Sequence, residues 1–269
     1  FFKQKTAYEL GVRLVGSEMC IRDRGAITEI NNRKRGSSLL FDEITDYPSG
    51  YRVLTGTTGS PARLAGLLGL STDLSSSTLV QSLRGKPPEW ENLASEFPPE
   101  YVENGPILEN IKSGKDINLL EFPVPKWHEK DGGRYIGTGS AVVTKDYDSD
   151  WINIGAYRMM VHDERSCALN MVAGKHGRQQ IERYYKAGEP FPVVASLGHH
   201  PLLFHIAGLE VAYGLSEYNY VGAIQGEPFK VVKGEVTGLP MPAHSELVLE
   251  GWCHPNNKKE EGQLGEFHG

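Results

Sequence analysis

Asn153, His176 and Glu217 offer an amide oxygen, an imidazole nitrogen and a carboxylate, a donor set suited to a divalent cation such as Mn²⁺ or Mg²⁺. A set with one carboxylate leaves the cation with surplus positive charge, which a phosphate could neutralise, so the chemistry suggests a metal that anchors a phosphate. Each residue also has an ordinary reading: Asn153 as a turn residue, His176 as a helix-start or surface residue, Glu217 as a solvated cap. Lys175 and Arg178 flank His176 and would add positive charge near a phosphate.

Arg158 follows Asn153 by five positions in a run, Trp151 to Arg158, that reads as a strand. Two-residue alternation puts the pair on opposite faces unless a bulge at Gly155 or the strand end intervenes. A guanidinium suits a carboxylate substrate because its fork binds both oxygens at once; a surface or salt-bridging Arg is the plainer alternative. Glu261 and Glu266 bracket a Gly-containing loop. Two carboxylates near one Arg can divide roles, like charge raising one pKa while the cation lowers another, although an acidic surface loop fits the composition too. His199 and His200 read mainly as structural, in a strand-to-helix connection that could line a pocket. Cys167 and Cys253 lack the neighbours that would make a nucleophile.

These residues need elements to carry them. The chain has 269 residues, 39% apolar and 23% charged, enough for one large or two modest globular domains. A net charge of -6 provides no electrostatic footprint for nucleic acid. Three widely spaced cysteines support neither a disulfide framework nor a zinc knuckle. No apolar run approaches the roughly 20 residues that span a bilayer. These features predict a cytoplasmic protein without a membrane span.

Residues 1–24 fit no periodic template and resemble a translated sequencing-adapter read-through, so they are set aside as a non-native segment, with a native amphipathic helix as the alternative. Strands are expected over 38–44 and 51–56. A helix is expected over 60–70, capped by Ser60 with Pro61 at its first position, and another from about Ser76. Pro87, Pro88, Pro98 and Pro99 are expected to break the chain into loop. Residues 25–120 thus read as a small α/β lobe with a connector. From 121 onward, β-type runs at 139–145, 151–158, 168–173, 192–198, 229–234 and 245–252, with a helix over 177–186, describe a β-barrel with helical insertions.

Seven runs carry more information than spacing does: F-P-V-P-K-W-H-E-K-D-G-G-R-Y-I-G-T-G (122–139), N-I-G-A-Y-R (153–158), G-K-H-G-R (174–178), S-L-G-H-H-P (196–201), Y-G-L-S-E-Y (213–218), G-L-P-M-P-A-H-S-E-L-V-L-E-G (238–251) and E-G-Q-L-G-E-F-H-G (261–269). In this order they closely resemble the UbiD family of decarboxylases. The resemblance implies an α+β chain, in which the α/β lobe precedes a split β-barrel domain (121–269) that binds prenylated FMN made by a separate flavin prenyltransferase. It implies a phosphate held through Mn²⁺ and K⁺, with Asn153, His176 and Glu217 as metal and phosphate ligands. Ala156, Tyr157, Arg158, Lys175 and His176 would contact the cofactor.

By the same resemblance Arg158, Glu261 and Glu266 form a Glu-Arg-Glu catalytic network for reversible decarboxylation of an aromatic or α,β-unsaturated carboxylic acid. The family's usual Gly-Pro-Phe-Gly-Glu reads here Gly262-Gln263-Leu264-Gly265-Glu266, a departure that bears on the loop's rigidity while keeping both carboxylates. The family's C-terminal oligomerisation domain is not expected within 269 residues, so a homo-oligomer is expected of the full-length chain and the present one would be a fragment. A split-barrel flavin-binding oxidoreductase and a non-catalytic fragment remain the alternatives.

Overall fold

A computed structural model describes residues 38–41, 44, 47–126 and 130–265. Residues 1–24 and Glu266 lie outside the described residues.

The chain opens with β1 (Leu39–Phe41) and β2 (Val53–Thr55), an antiparallel pair. In α1 (Pro61–Leu67) the Ser60 side chain accepts the Arg63 N–H and Pro61 occupies the first turn, as the sequence suggested. The helix stops short of Leu70 because Gly69 turns left-handed, at φ 69°, and the Leu70 N–H folds back to the Ala65 carbonyl. Ser75 caps α2 (Ser76–Ser82). Pro87 and Pro88 do not break the chain: they lie in the first turn of α3 (Lys86–Leu93). That turn's N–H groups have no intrahelical acceptor, so two prolines forfeit nothing there. The short strand β3 (Glu100–Tyr101) follows Pro98 and Pro99.

Four strands come next: β4 (Arg134–Gly137), β5 (Ala141–Lys145), β6 (Ile152–Gly155) and β7 (Met159–Asp163). The expected strand over 151–158 is therefore shorter. It ends at Gly155, and Ala156 to Arg158 form a non-strand link into β7. Then come β8 (Ser166–Leu169), α4 (His176–Ala187), β9 (Phe191–Leu197), α5 (Pro201–Ala207) and α6 (Glu217–Gln225). The last strands are β10 (Lys230–Lys233), β11 (Pro240–Pro242) and β12 (Leu247–Cys253).

The strands form separate sheets in the orders β12-β9-β5-β6, β4-β7-β8 and β11-β10-β3, beside the β1-β2 pair. The fold is thus mixed α and β with several sheets, and among the described residues none closes on itself. Parallel pairing of β3 with β10, Glu100 opposite Lys230, ties the first hundred residues to the later sheets.

The four-stranded sheet has both central faces buried, and strand alternation divides its side chains between two cores. Ala141, Val143, Ile154 and Val194 pack with Leu202, Leu203 and Ile206 of α5 and Tyr218 and Val221 of α6. Val142, Val193 and Ala195 point the other way, onto Met159 and Val161 of the three-stranded sheet. At about 25 cal/mol per Å² of buried apolar surface, these cores are the main favourable term holding the strand ends in place.

Candidate functional site

Strand β6 is the outer edge of its sheet, and the site is built around its end. Glu217 begins α6, yet it is 2% exposed and its Oε2 accepts the Ile154 N–H at 2.6 Å. The ordinary reading of Glu217 as a solvated cap therefore fails. It occupies an edge amide that would otherwise be unpaired. Burial, opposed by hydrogen bonds from the Ile154 and Glu217 N–H groups, pushes its carboxyl up to about 8. Among the described residues no Lys, Arg or His forms an ion pair with it.

Asn153, also 2% exposed, lies in β6 and not in a turn. Its Nδ2 donates to Thr144 Oγ1 at 3.1 Å, and Thr144 lies 2.6 Å from Gln180 Oε1 of α4. The bond to Thr144 uses an amide N–H and leaves the carbonyl oxygen for another role. His176 is the first residue of α4, with its ring edge-on to Trp151 and Tyr213 at centroid distances of 5.2 and 5.5 Å. Burial and the neighbouring Lys175 lower its pKa against the pull of Glu210, favouring the neutral imidazole that can ligate a metal.

Tyr157 locks the start of α4 against the end of β6. Its hydroxyl accepts the Gly177 N–H at 3.1 Å, and its ring folds back so closely that a Cβ on Gly155 would sit 2.4 Å from it. A Cβ on Gly177 would sit 2.7 Å from the hydroxyl. Glycine at both positions is a steric requirement.

Because the strand ends at Gly155, alternation no longer separates Asn153 from Arg158. Both line one cavity of roughly 270 Å³ with His176, Glu217, Ala156 and Tyr157. Lys175 lines it too and pairs with Glu210 at 3.8 Å. Arg178 does not contribute as expected: two residues past His176 on the helix, it pairs with Glu182 at 2.6 Å on the exposed side. Among the described residues there is no cluster of three or more His, Cys, Asp or Glu suited to a metal. The set Asn153, His176 and Glu217 contains an amide and so is not of that kind. Its donors nonetheless fit a hard or borderline cation, since a buried carboxylate, a neutral imidazole and an amide oxygen share one cavity.

Arg158 meets Glu261 in a bidentate pair, Nε to Oε1 at 2.6 Å and Nη2 to Oε2 at 3.0 Å. Asn170 donates its Nδ2 to the same carboxylate and also lines the cavity. Burial pushes Glu261 up, but the bonds from Arg158 and Asn170 outweigh it and hold the carboxyl below its ordinary value. Beside it Tyr135, 1% exposed, is pushed up to about 12 by burial and then by the Glu261 charge. Asn170 and Tyr135 were missed from sequence. The one available signal for Asn170 was an amide interrupting the apolar run Ala168 to Ala173; Tyr135 reads as an ordinary strand aromatic.

His199 and His200 are not among the cavity's lining residues. His200 accepts the Leu202 N–H at the start of α5, a structural task. Burial pushes the Cys167 and Cys253 thiols up to about 11 and about 12, which removes them as nucleophiles. No helix among the described residues is long and apolar enough to cross a membrane.

Comparison with known proteins points to a family. The family model for the 3-octaprenyl-4-hydroxybenzoate carboxy-lyase Rift-related domain, UbiD, matches residues 100–269. Pyrrole-2-carboxylic acid decarboxylase of Pseudomonas aeruginosa is 35% identical over 252 residues, covering 91% of this chain and 50% of that protein. Phenolic acid decarboxylase of Sedimentibacter hydroxybenzoicus is 35% identical over 248 residues, covering 89% and 50%. The solved vanillic acid decarboxylase of the same organism, in its closed form, superposes with a TM-score of 0.79 at 32% identity, covering 91% of this chain and 52% of that chain. The chain spans about half the length of the curated relatives it matches. It belongs to the UbiD family.

Proposed function

We propose that this chain is the prenylated-FMN-binding portion of a non-oxidative decarboxylase for an aromatic or α,β-unsaturated carboxylic acid. The observation that carries the reading is the shared cavity. Glu217, a buried carboxylate with no cationic partner among the described residues, lies there with Asn153 and His176, and Arg158, fastened to Glu261, lines the same cavity. The relatives' names, decarboxylases of pyrrole-2-carboxylic and phenolic acids, support the substrate class.

Asn153, His176 and Glu217 would hold Mn²⁺, and the site would take K⁺ and the cofactor phosphate with it. Lys175 adds charge on the same side, and Ala156 and Tyr157 supply the wall. When bound, the modified flavin supplies the electron sink that side chains lack for a carbanion at an sp² carbon. Arg158 would orient the substrate carboxylate, its position fixed by the two bonds to Glu261. Glu261 tunes Arg158, and Glu266 is the acid that returns a proton to the carbon that loses CO₂.

In the same reading the four- and three-stranded sheets are the halves of a split barrel and 25–120 is an α/β lobe with its connector. The non-native character of 1–24, the cytoplasmic location, supply by a flavin prenyltransferase and homo-oligomerisation of the full-length chain belong to it as well. The test is to load the full-length protein with prenylated FMN and Mn²⁺ and screen aromatic and α,β-unsaturated acids for CO₂ release. No release from any acid by flavin-loaded protein would overturn the reading.

A further inference from the structure

The motif Asp131-Gly132-Gly133 has no part in the reading above, yet it touches the segment that carries Glu261. After β12 the chain from His254 to Gly265 forms no helix or strand, so other bonds must order it. Asp131, 3% exposed, accepts the Gly265 N–H on Oδ1 at 2.8 Å. Its neighbour Gly132 donates its N–H to the Gln263 carbonyl at 2.6 Å. The two bonds grip the segment on either side of Leu264. The backbones are in direct contact here: a Cβ on Gly132 would lie 2.3 Å from the Glu261 carbonyl oxygen and 2.7 Å from the Gly262 Cα. Gly262 has φ 78°, and a Cβ there would lie 2.8 Å from the Gly132 Cα. Only two glycines can meet this way. Just before the contact, Glu261 turns its carboxylate to Arg158 and Asn170.

We propose that Asp131, together with the Gly132 N–H, is a positioning residue that clamps the segment from Glu261 to Gly265 so that the Glu261 carboxylate meets Arg158. The inference rests on the catalytic reading of Arg158 and Glu261. The clamp supplies by hydrogen bonds the rigidity that a proline at Gln263 would supply by its ring. Asp131 acts through the segment and is not among the residues that line the cavity.

The test uses the full-length, flavin-loaded protein with Asp131→Ala and Asp131→Asn, followed by amide hydrogen exchange and by turnover. Asp131→Ala is expected to raise exchange across 261–265 while the core of β5 and β9 stays protected and the flavin absorbance is retained. Turnover should fall by about 10- to 100-fold, the scale of a misplaced catalytic group. Asp131→Asn keeps an oxygen acceptor for the Gly265 N–H and is expected to restore most of both. Gly132→Ala should reproduce the Asp131→Ala result by steric displacement.

The proposal is overturned if exchange at 261–265 is unchanged in Asp131→Ala, if Asn damages as much as Ala, or if the segment opens without loss of turnover. Glu261→Gln separates the two levels. Wild-type turnover in that variant, with the segment still opening in Asp131→Ala, removes the catalytic reading of Glu261 and with it the positioning role. Loss of turnover in Glu261→Gln with no opening in Asp131→Ala removes the clamp alone.

Discussion

Glu217 Oε2 and the Ile154 N–H lie 2.6 Å apart, fastening the first turn of α6 to the strand residue that follows Asn153. This single bond brings a carboxylate and an amide distant in sequence to the same cavity. It also buries the carboxylate where water cannot compensate its charge, which makes a cation the natural partner.

The metal-free chain should accordingly lose stability as pH rises. The Glu217 carboxyl is raised to about 8 in the fold, whereas in the unfolded chain it ionises near the ordinary glutamate value of 4.5. A raised acid stabilises the fold fully below the unfolded pKa, and that contribution is lost as pH climbs through the folded one. Thermal unfolding between pH 5 and pH 8.5 should therefore show a falling midpoint, with Glu217→Gln flattening the slope and added Mn²⁺ raising the midpoint of the native chain at the alkaline end. Parallel slopes for the native chain and Glu217→Gln would show that this carboxylate does not titrate as described.

Gly155→Ala should destabilise the fold by about 1–3 kcal/mol, the range for overpacking, because the new methyl would sit 2.4 Å from the Tyr157 ring. In a Tyr157→Ala background the same substitution should cost far less, since the ring is gone. Denaturant midpoints of the two single variants and the double variant measure this coupling. Simple additivity would mean that the ring does not set the demand for glycine.

Arg158→Lys should abolish the bidentate contact, since an ammonium is a point charge and cannot meet both Glu261 oxygens through a planar fork. We expect flavin absorbance to persist and turnover to fall by about 100-fold or more, as for a misplaced orienting group. A Lys variant as active as the native chain would show that charge alone suffices.

The sequence named residues that the structure brings to one cavity, but it did not reveal how they meet. Asn153, His176 and Glu217 could be named from donor chemistry, but their meeting depends on an edge strand and two helix starts that periodicity does not reveal. The conflict between Asn153 and Arg158 on one strand disappears because β6 ends at Gly155, and the reason is tertiary: Tyr157 folds back over that glycine. The prolines at 87 and 88 misled because their effect depends on position in a helix: in the first turn of α3 they replace N–H groups that have no intrahelical acceptor. Asn170 left only a weak signal, because a single amide interrupting an apolar run has no period to give it a role. Its partner Glu261 comes from a segment with no regular structure.

The last expectation concerns proton return. Glu261 is held below its ordinary pKa by Arg158 and Asn170 and therefore stays ionised near neutral pH, which disqualifies it as the acid. The remaining carboxylate of the loop is Glu266, five residues on, and it is the proposed donor. Glu266→Gln keeps the side chain's shape and hydrogen bonding but cannot deliver a proton. In a full-length, flavin-loaded protein this variant should lose turnover and solvent-deuterium incorporation into product while keeping the flavin absorbance. Glu217→Gln should do the reverse at the level of binding, lowering flavin retention by at least about 10-fold through loss of the proposed charged metal ligand. Decarboxylation, deuterium content and absorbance measured together on both variants separate the roles. Wild-type turnover with normal deuterium incorporation in Glu266→Gln would assign the proton to another group.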